Sequence, residues 1–298
     1  MEQALRQFAH ASSYSRDSSL RARFVEAVGA SIGEDLDARV DSIRVFENEA
    51  GFDPFGFDRD TARWMLAVVA WLHRRYFRCI VKGIENVPEG RVLVIANHSG
   101  QIPIDGMMIG AALMLDAEPP RFPRSMVERW TVELPFVSTL FPRIGQVLGS
   151  PENARRLLQQ EECIVVFPEG AKGISKPFKE RYRLQPFGLG FMRLALETNT
   201  PIVPVSVVGA EEQYISLANW TKVGALMGMP AFPVIPQLFL GMPLPLPTRY
   251  RISFGEPLRF EGDPDADDVV IESKVAVVRE RIASMIAADR AARRSIFF

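Results

Sequence analysis

Apolar positions repeat first at helical spacing and later in short β-branched runs. Between Phe24 and Phe46, the residues Val28, Ile32, Leu36, Val40 and Ile43 recur at intervals of three or four. That stripe predicts a helix or a helix pair, with Gly29 and Gly33 as the points where it breaks. Asp53–Asp58 (DPFGFD) reads as a turn-rich linker with aromatic anchors. Asp60–Val81 reads as a further helix. Its centre, Trp64–Leu72, holds nine uncharged residues, with Arg63 before it and His73, Arg74, Arg75 and Arg78 after it. Nine is far short of the roughly 20 needed to cross a bilayer. Two tryptophans and flanking arginines suit a helix lying at a membrane surface, and equally a core helix with a solvated arginine face.

Beyond Gly83 the pattern alternates. Val92–Ala96, Cys163–Phe167 and Ile202–Val208 are β-branched runs of buried-strand type, and Arg249–Phe254 reads as a later, half-exposed strand. Helices are predicted at Gly106–Leu115, at Pro151–Gln160 with Ser150 as N-cap, at Phe187–Thr198 and at Val269–Met285. The expected fold class is α/β, with a largely parallel mixed sheet flanked by helices and an N-terminal helical segment. Residues 1–58 read as that segment and its linker, 59–82 as an amphipathic membrane-associating helix, and 83–298 as the α/β domain. Val223–Pro247 carries no charge but six prolines. It cannot be a transmembrane helix. It reads as a greasy surface for an acyl chain or a bilayer, the alternative being a lid on the core.

Composition changes this picture little. The 298 residues carry 35 basic and 36 acidic side chains, a formal charge of −1, which excludes a chain-wide polycation for nucleic acid. Twenty-nine of the basic residues are arginine, which points to a GC-rich bacterial gene. Cys79 and Cys163 are too few and too far apart for a zinc knuckle, a CxxC pair or a disulfide framework, and no metal site is expected. Met1–Ser19 is polar and Ser-rich, reads as loose chain and lacks the apolar core of a secretory signal.

Only His10, His73 and His98 can supply an imidazole base. Gly29–Ala30–Ser31–Ile32–Gly33 matches the G-x-S-x-G of a nucleophile elbow, but it lies in a helical stripe with no strand before it. Asn97–Asp105 (NHSGQIPID) directly follows a predicted buried strand, where α/β ligands bind. If Asp105 accepts the Nδ1–H of His98, the tautomer is fixed and Nε2 is left as a base for a substrate hydroxyl. The competing readings are a structural histidine and an N-cap aspartate. Phe167–Gly173 (FPEGAKG) follows a second strand. Its glycines and Lys172 suit a phosphate, with Lys176, Lys179, Arg181 and Arg183 beyond as a basic run that otherwise reads as a solvated loop.

Three blocks in order, Asn97–His98…Asp105, Phe167–Pro168–Glu169–Gly170 and Pro201–Ile202–Val203–Pro204–Val205, resemble the glycerolipid acyltransferase superfamily of the 1-acylglycerol-3-phosphate acyltransferases. The resemblance spans about 83–255, so that 83–298 becomes an acyltransferase domain. It also takes in the lysophospholipid and diacylglycerol acyltransferase-like branch. It implies catalysis by His98 and Asp105, substrate binding by Glu169, Gly170, Lys172 and Pro204, and transfer of a fatty acyl group to a glycerolipid hydroxyl such as that of lysophosphatidic acid. The co-substrate would be acyl-CoA or acyl-carrier protein, with no further cofactor. Membrane lipids would be the partners and the cytoplasmic face of a membrane the site of action, peripherally. Two departures stand out. The family has His-x4-Asp where six residues separate His98 from Asp105, so the loop must bulge. Pro151 falls where a phosphate-holding arginine belongs, with Arg143 and Arg155 nearby. A neutral diacylglycerol acceptor, a non-catalytic lipid-binding protein and a lipase or thioesterase remain the alternatives.

Overall fold

A computed structural model describes residues 17–49, 53–128, 137–220, 223–224, 232–242 and 244–297. The predicted loose segment lies outside these residues, except that Asp17–Ser19 already belong to the first helix, and His10 lies outside as well. In chain order the elements are α1 (Asp17–Ile32), α2 (Leu36–Asp41), α3 (Arg59–Trp71) continuing as a π-helical turn (Leu72–Tyr76), β1 (Ile80–Lys82), β2 (Val92–Ala96), α4 (Ile104–Leu115), β3 (Pro123–Val127), α5 (Val137–Arg143), β4 (Val147–Leu148), α6 (Pro151–Gln159), β5 (Cys163–Val166), α7 (Ala171–Ile174), α8 (Gly190–Thr198), β6 (Ile202–Val208), β7 (Ala218–Trp220), β8 (Phe232–Val234), α9 (Pro236–Phe239), β9 (Arg251–Phe254) and α10 (Asp268–Ala292).

Seven strands form one sheet in the order β1-β9-β6-β2-β5-β3-β4. Every neighbouring pair is parallel except β6 and β9. The fold is therefore mixed α/β and mostly parallel, as expected. The β-branched runs of β2, β5 and β6 occupy its centre because both faces are covered, which is what an all-apolar strand requires. One face packs on α4 and Phe77, the other on α6, α8 and α10. The N-terminal stripe does break in two, at Gly33, which adopts φ 73°; Gly29 stays inside α1. Val25, Val28, Leu36 and Val40 pack on Leu66, Ala67 and Ala70 of α3 and on α4.

Local chemistry sets the ends. Asp35, Asp58 and Ser150 each accept a backbone N–H three residues on. Four expectations are corrected. The Asp60–Val81 helix stops early, and its end becomes edge strand β1. β3 and β4 went unforeseen. Pro-Arg-Ser-Met-Val has a proline and an arginine, but Arg124 is fully buried because Asp53 takes both ends of its fork at 3.1 and 3.0 Å and Glu162 lies at 3.4 Å. β9 is buried rather than half-exposed, since Asp289 of α10 faces Arg251 at 3.6 Å. The helix before β6 begins at Gly190, not Phe187.

Candidate active site

Adjacent strands β2 and β5 release their chains at the same edge, so the loops that follow them meet. Asn97, fully buried, prolongs the β2–β6 ladder with its side chain: its Nδ2 donates to the Val207 carbonyl at 3.1 Å and its Oδ1 accepts the Val207 N–H at 2.8 Å. That fixes the backbone one residue before His98. Glu169, at the end of the β5 loop, accepts the His98 N–H at 2.9 Å and the Gln185 N–H at 2.7 Å.

The long block-one loop bulges as the spacing demanded. Gly100 (φ 93°) and Gln101 (φ 67°) are both left-handed, and tight turns join Ile102 to Gly100 and Ile104 to Ile102. A Cβ at Gly100 would stand 2.4 Å from Nε2 of Gln213, whose side chain bonds the Gly100 and Ile102 carbonyls. The bulge returns Asp105 to the imidazole. Its Oδ2 lies 2.9 Å from His98 Nδ1 and accepts the Ser99 N–H at 2.8 Å, while Oδ1 accepts the Gly106 N–H at 2.8 Å. Asp105 is thus not the N-cap of α4; Pro103 holds that position and Asp105 lies in the first turn. Its carboxylate is fully buried, and the His98 side chain is 11% exposed. The Phe167 ring stacks on the imidazole at 4.0 Å. Such an imidazole is oriented on both sides, with Nε2 the nitrogen left over for chemistry.

The other predicted residues separate. Glu169 is buried and holds backbone rather than facing open space. Gly170 takes φ 55° before α7. Lys172 is exposed beside Gly173, and Gly173 packs so tightly that a Cβ there would lie 2.7 Å from the His98 Cβ. Pro204 lies buried within β6, paired in register with Ile95, three residues before His98, and close against Gly255. Pro151 opens α6, and Arg155 is bound to Glu197 at 2.6 Å.

Sequence reasoning missed the cation behind the site. Lys176, read as part of a solvated basic run, is buried between Glu211 (3.0 Å) and Glu169 (3.6 Å). Burial pushes the Glu211 carboxyl up to about 7 against the pull of Lys176. The Glu211–Glu212 pair directly after β6 was the available signal, since two acids next to a buried strand need partners. The hollow between Gln101, Lys176 and Tyr214 measures about 10 Å³, room for one water and not for an acyl chain.

The G-x-S-x-G match is the last turn of α1 plus the Gly33 that ends it, and the Ser31 hydroxyl donates to the Val28 carbonyl at 2.7 Å. The Trp64–Leu72 helix buries Leu66, Ala67 and Ala70 and exposes Trp71. Among the described residues no helix is long and apolar enough to cross a membrane.

The acyltransferase family model matches residues 78–208. The chain is 38% identical over 259 residues to an uncharacterized protein of Mycobacterium tuberculosis, covering 84% of this chain and 71% of that one. It is 24% identical over 197 residues to a Mus musculus protein named DGAT1/2-independent enzyme synthesizing storage lipids, covering 66% and 57%. The crystal structure of the 1-acyl-sn-glycerophosphate acyltransferase PlsC from Thermotoga maritima superposes with a TM-score of 0.51 at 17% identity, over 94% of this chain and 99% of that one.

Proposed function

The chain belongs to the glycerolipid acyltransferase superfamily, and on that premise we propose that it moves a fatty acyl group from a thioester carrier to a glycerolipid hydroxyl, with His98 as general base. The observation that carries this reading is the 2.9 Å contact of His98 Nδ1 with a buried carboxylate. Asp105 keeps the proton on Nδ1. Nε2 takes the proton of the acceptor hydroxyl as its oxygen attacks the thioester carbonyl, and the thiolate leaves with a proton returned from the imidazolium. General-base help of this kind contributes about 10²–10⁴ in rate. The thioester carrier is acyl-CoA or acyl-carrier protein.

A lysophospholipid such as lysophosphatidic acid is the lead acceptor. Lys172, exposed and without an ion-pair partner among the described residues, stands next to the residue that packs on His98. Diacylglycerol is the second reading, favoured by proline at position 151.

Both substrates are amphiphiles, and an apolar platform supports peripheral binding to a bilayer. Phe239, Leu240 and Leu244 are 70%, 72% and 71% exposed, with Leu217, Trp220 and Trp71 also exposed. The Tyr76 hydroxyl donates to the Pro245 carbonyl at 2.6 Å, which ties the Pro-rich stretch to the end of the α3 helix. Thioester carriers are cytosolic, so this reading expects the working face on the cytoplasmic side.

The test is a panel of acceptors offered with acyl-CoA and with acyl-carrier protein to the purified chain. Esterification of a lysophospholipid is expected. Diacylglycerol alone accepting would move the assignment to the second reading, and no transfer to any glycerolipid would refute both.

A further inference from the structure

A second cluster of charge lies apart from His98, where the last helix ends. β9 runs against β6, so its first residues reach the same edge of the sheet as the C-terminal end of β6. Residues 293–297 cross that edge, held by the Arg249 N–H on the Ile296 carbonyl at 2.7 Å and by the Arg78 guanidinium on the Phe297 carbonyl at 2.8 Å. Under this strap is a cavity of about 500 Å³ lined by Arg249, Arg251, Arg293 and Arg294.

The arginines differ in how they are satisfied. Arg293 forks onto Glu212 at 2.7 and 2.9 Å. Arg251, 8% exposed, faces Asp289, but its buried Nε has no hydrogen-bond partner. Among the described residues, Arg249 has a buried Nε without a hydrogen-bond partner and no acid within ion-pair reach. Arg294 also has no acid in reach among the described residues. The lining therefore keeps two positive charges, Arg249 and Arg294, with no acid in reach among the described residues. Arginines in the last turn of a helix complement its dipole, which accounts for Arg290 and Arg293. It does not account for Arg249 and Arg251, which come from β9 and its approach. A buried N–H without an acceptor is rare in a folded protein and marks a missing partner. A planar guanidinium fork matches phosphate oxygens bidentately, and a phosphate's two charges match the lining.

We propose that this cavity is a phosphate-binding site, distinct from the His98 site and independent of the acyl-transfer reading. Its phosphate has two chemical sources: the headgroup of an anionic lipid or a soluble phosphate such as that of CoA. Its lining residue Arg249 lies five residues along the chain from Leu244 of the apolar platform, and exposed Ile296 and Phe297 directly follow its lining residue Ser295, so a headgroup is within reach of a docked bilayer.

The experiment uses the full chain and the double variant Arg249→Gln/Arg294→Gln. Neither side chain holds an acid, so the variant keeps the ion pairs of Arg251 and Arg293. Circular dichroism checks the fold. Calorimetry with inorganic phosphate and with CoA, and co-sedimentation with phosphatidylcholine vesicles with and without phosphatidic acid, read the two sources. The proposal expects phosphate-dependent binding that falls about 10-fold or more in the variant and weakens with salt. Loss confined to phosphatidic acid vesicles identifies a lipid headgroup; loss on CoA or inorganic phosphate identifies a soluble one. A wild-type chain that takes up none of these probes, or a folded variant that binds as wild type does, overturns it. His98→Ala is expected to bind normally, so failure of acyl transfer and failure of this site are read separately.

Discussion

Replacing Asp105 by asparagine changes one atom and asks whether its charge sets the imidazole tautomer. Oδ2 receives two donors, His98 Nδ1 at 2.9 Å and the Ser99 N–H at 2.8 Å, and Oδ1 receives the Gly106 N–H at 2.8 Å. An amide has one acceptor oxygen for these two positions. With the oxygen toward His98, the NH2 points at the Gly106 N–H; with the NH2 toward His98, Nδ1 must accept, Nε2 carries the proton, and the base is gone. Merely weakening a bond to a charged group is worth about 1.5–3 kcal/mol, or roughly 10–150-fold in rate at about 1.4 kcal/mol per decade. Tautomer reversal removes the general base and costs up to about 10⁴-fold. The expected fall in kcat for Asp105→Asn is therefore about 10³–10⁴-fold with KM for the thioester little changed. Chromatographic quantitation of the acylated lipid, with circular dichroism as the control for folding, measures it. A folded Asp105→Asn enzyme within fivefold of wild type would refute the reasoning.

Gly173→Ala would set a Cβ 2.7 Å from the His98 Cβ and 2.9 Å from the Glu169 Cβ, so the base must shift; kcat should drop on the order of 10²-fold, and unchanged steady-state kinetics would contradict this. His73 is buried without a hydrogen-bond partner, and burial, then Arg74, push its pKa down to about 3. The unfolded chain takes up that proton near pH 6.5, so stability present above 6.5 is lost as pH falls toward 3, by about 1.4 kcal/mol per pH unit. Urea unfolding of His73→Phe at pH 7.5 and pH 5 should show a shallower loss than wild type, and equal slopes would count against it. Phe239→Asp with Leu240→Asp should abolish vesicle co-sedimentation while leaving transfer to a soluble short-chain acceptor intact. Undiminished sedimentation would exclude the platform as the docking face.

The sheet centre was legible because β2, β5 and β6 are uninterrupted β-branched runs, which only a doubly covered strand tolerates. β1 and β4 were hidden because edge strands are short and mixed, and β3 because its Arg124 is made apolar-compatible only by Asp53 and Glu162, 71 and 38 residues away in sequence. The same reason hid the burial of β9, where Asp289 neutralises Arg251 from another element. At the site, His98 and Asp105 were visible from their position after β2, and the bulge was readable from the two extra residues with a glycine among them. Lys176 was not, since nothing local distinguishes a buried lysine from a solvated one until Glu211 is brought against it. Pro204 matched a motif in sequence, and its strand position sets it within β6, close against Gly255.

The central claim is that the His98 imidazole removes the acceptor's proton. Its most direct measurement is transfer of a radiolabelled acyl group from its thioester to lysophosphatidic acid by His98→Ala, a substitution that leaves the backbone N–H of residue 98 bonded to Glu169. The account predicts a folded protein whose transfer rate falls about 10²–10⁴-fold. A folded His98→Ala protein that acylates at the wild-type rate would contradict it.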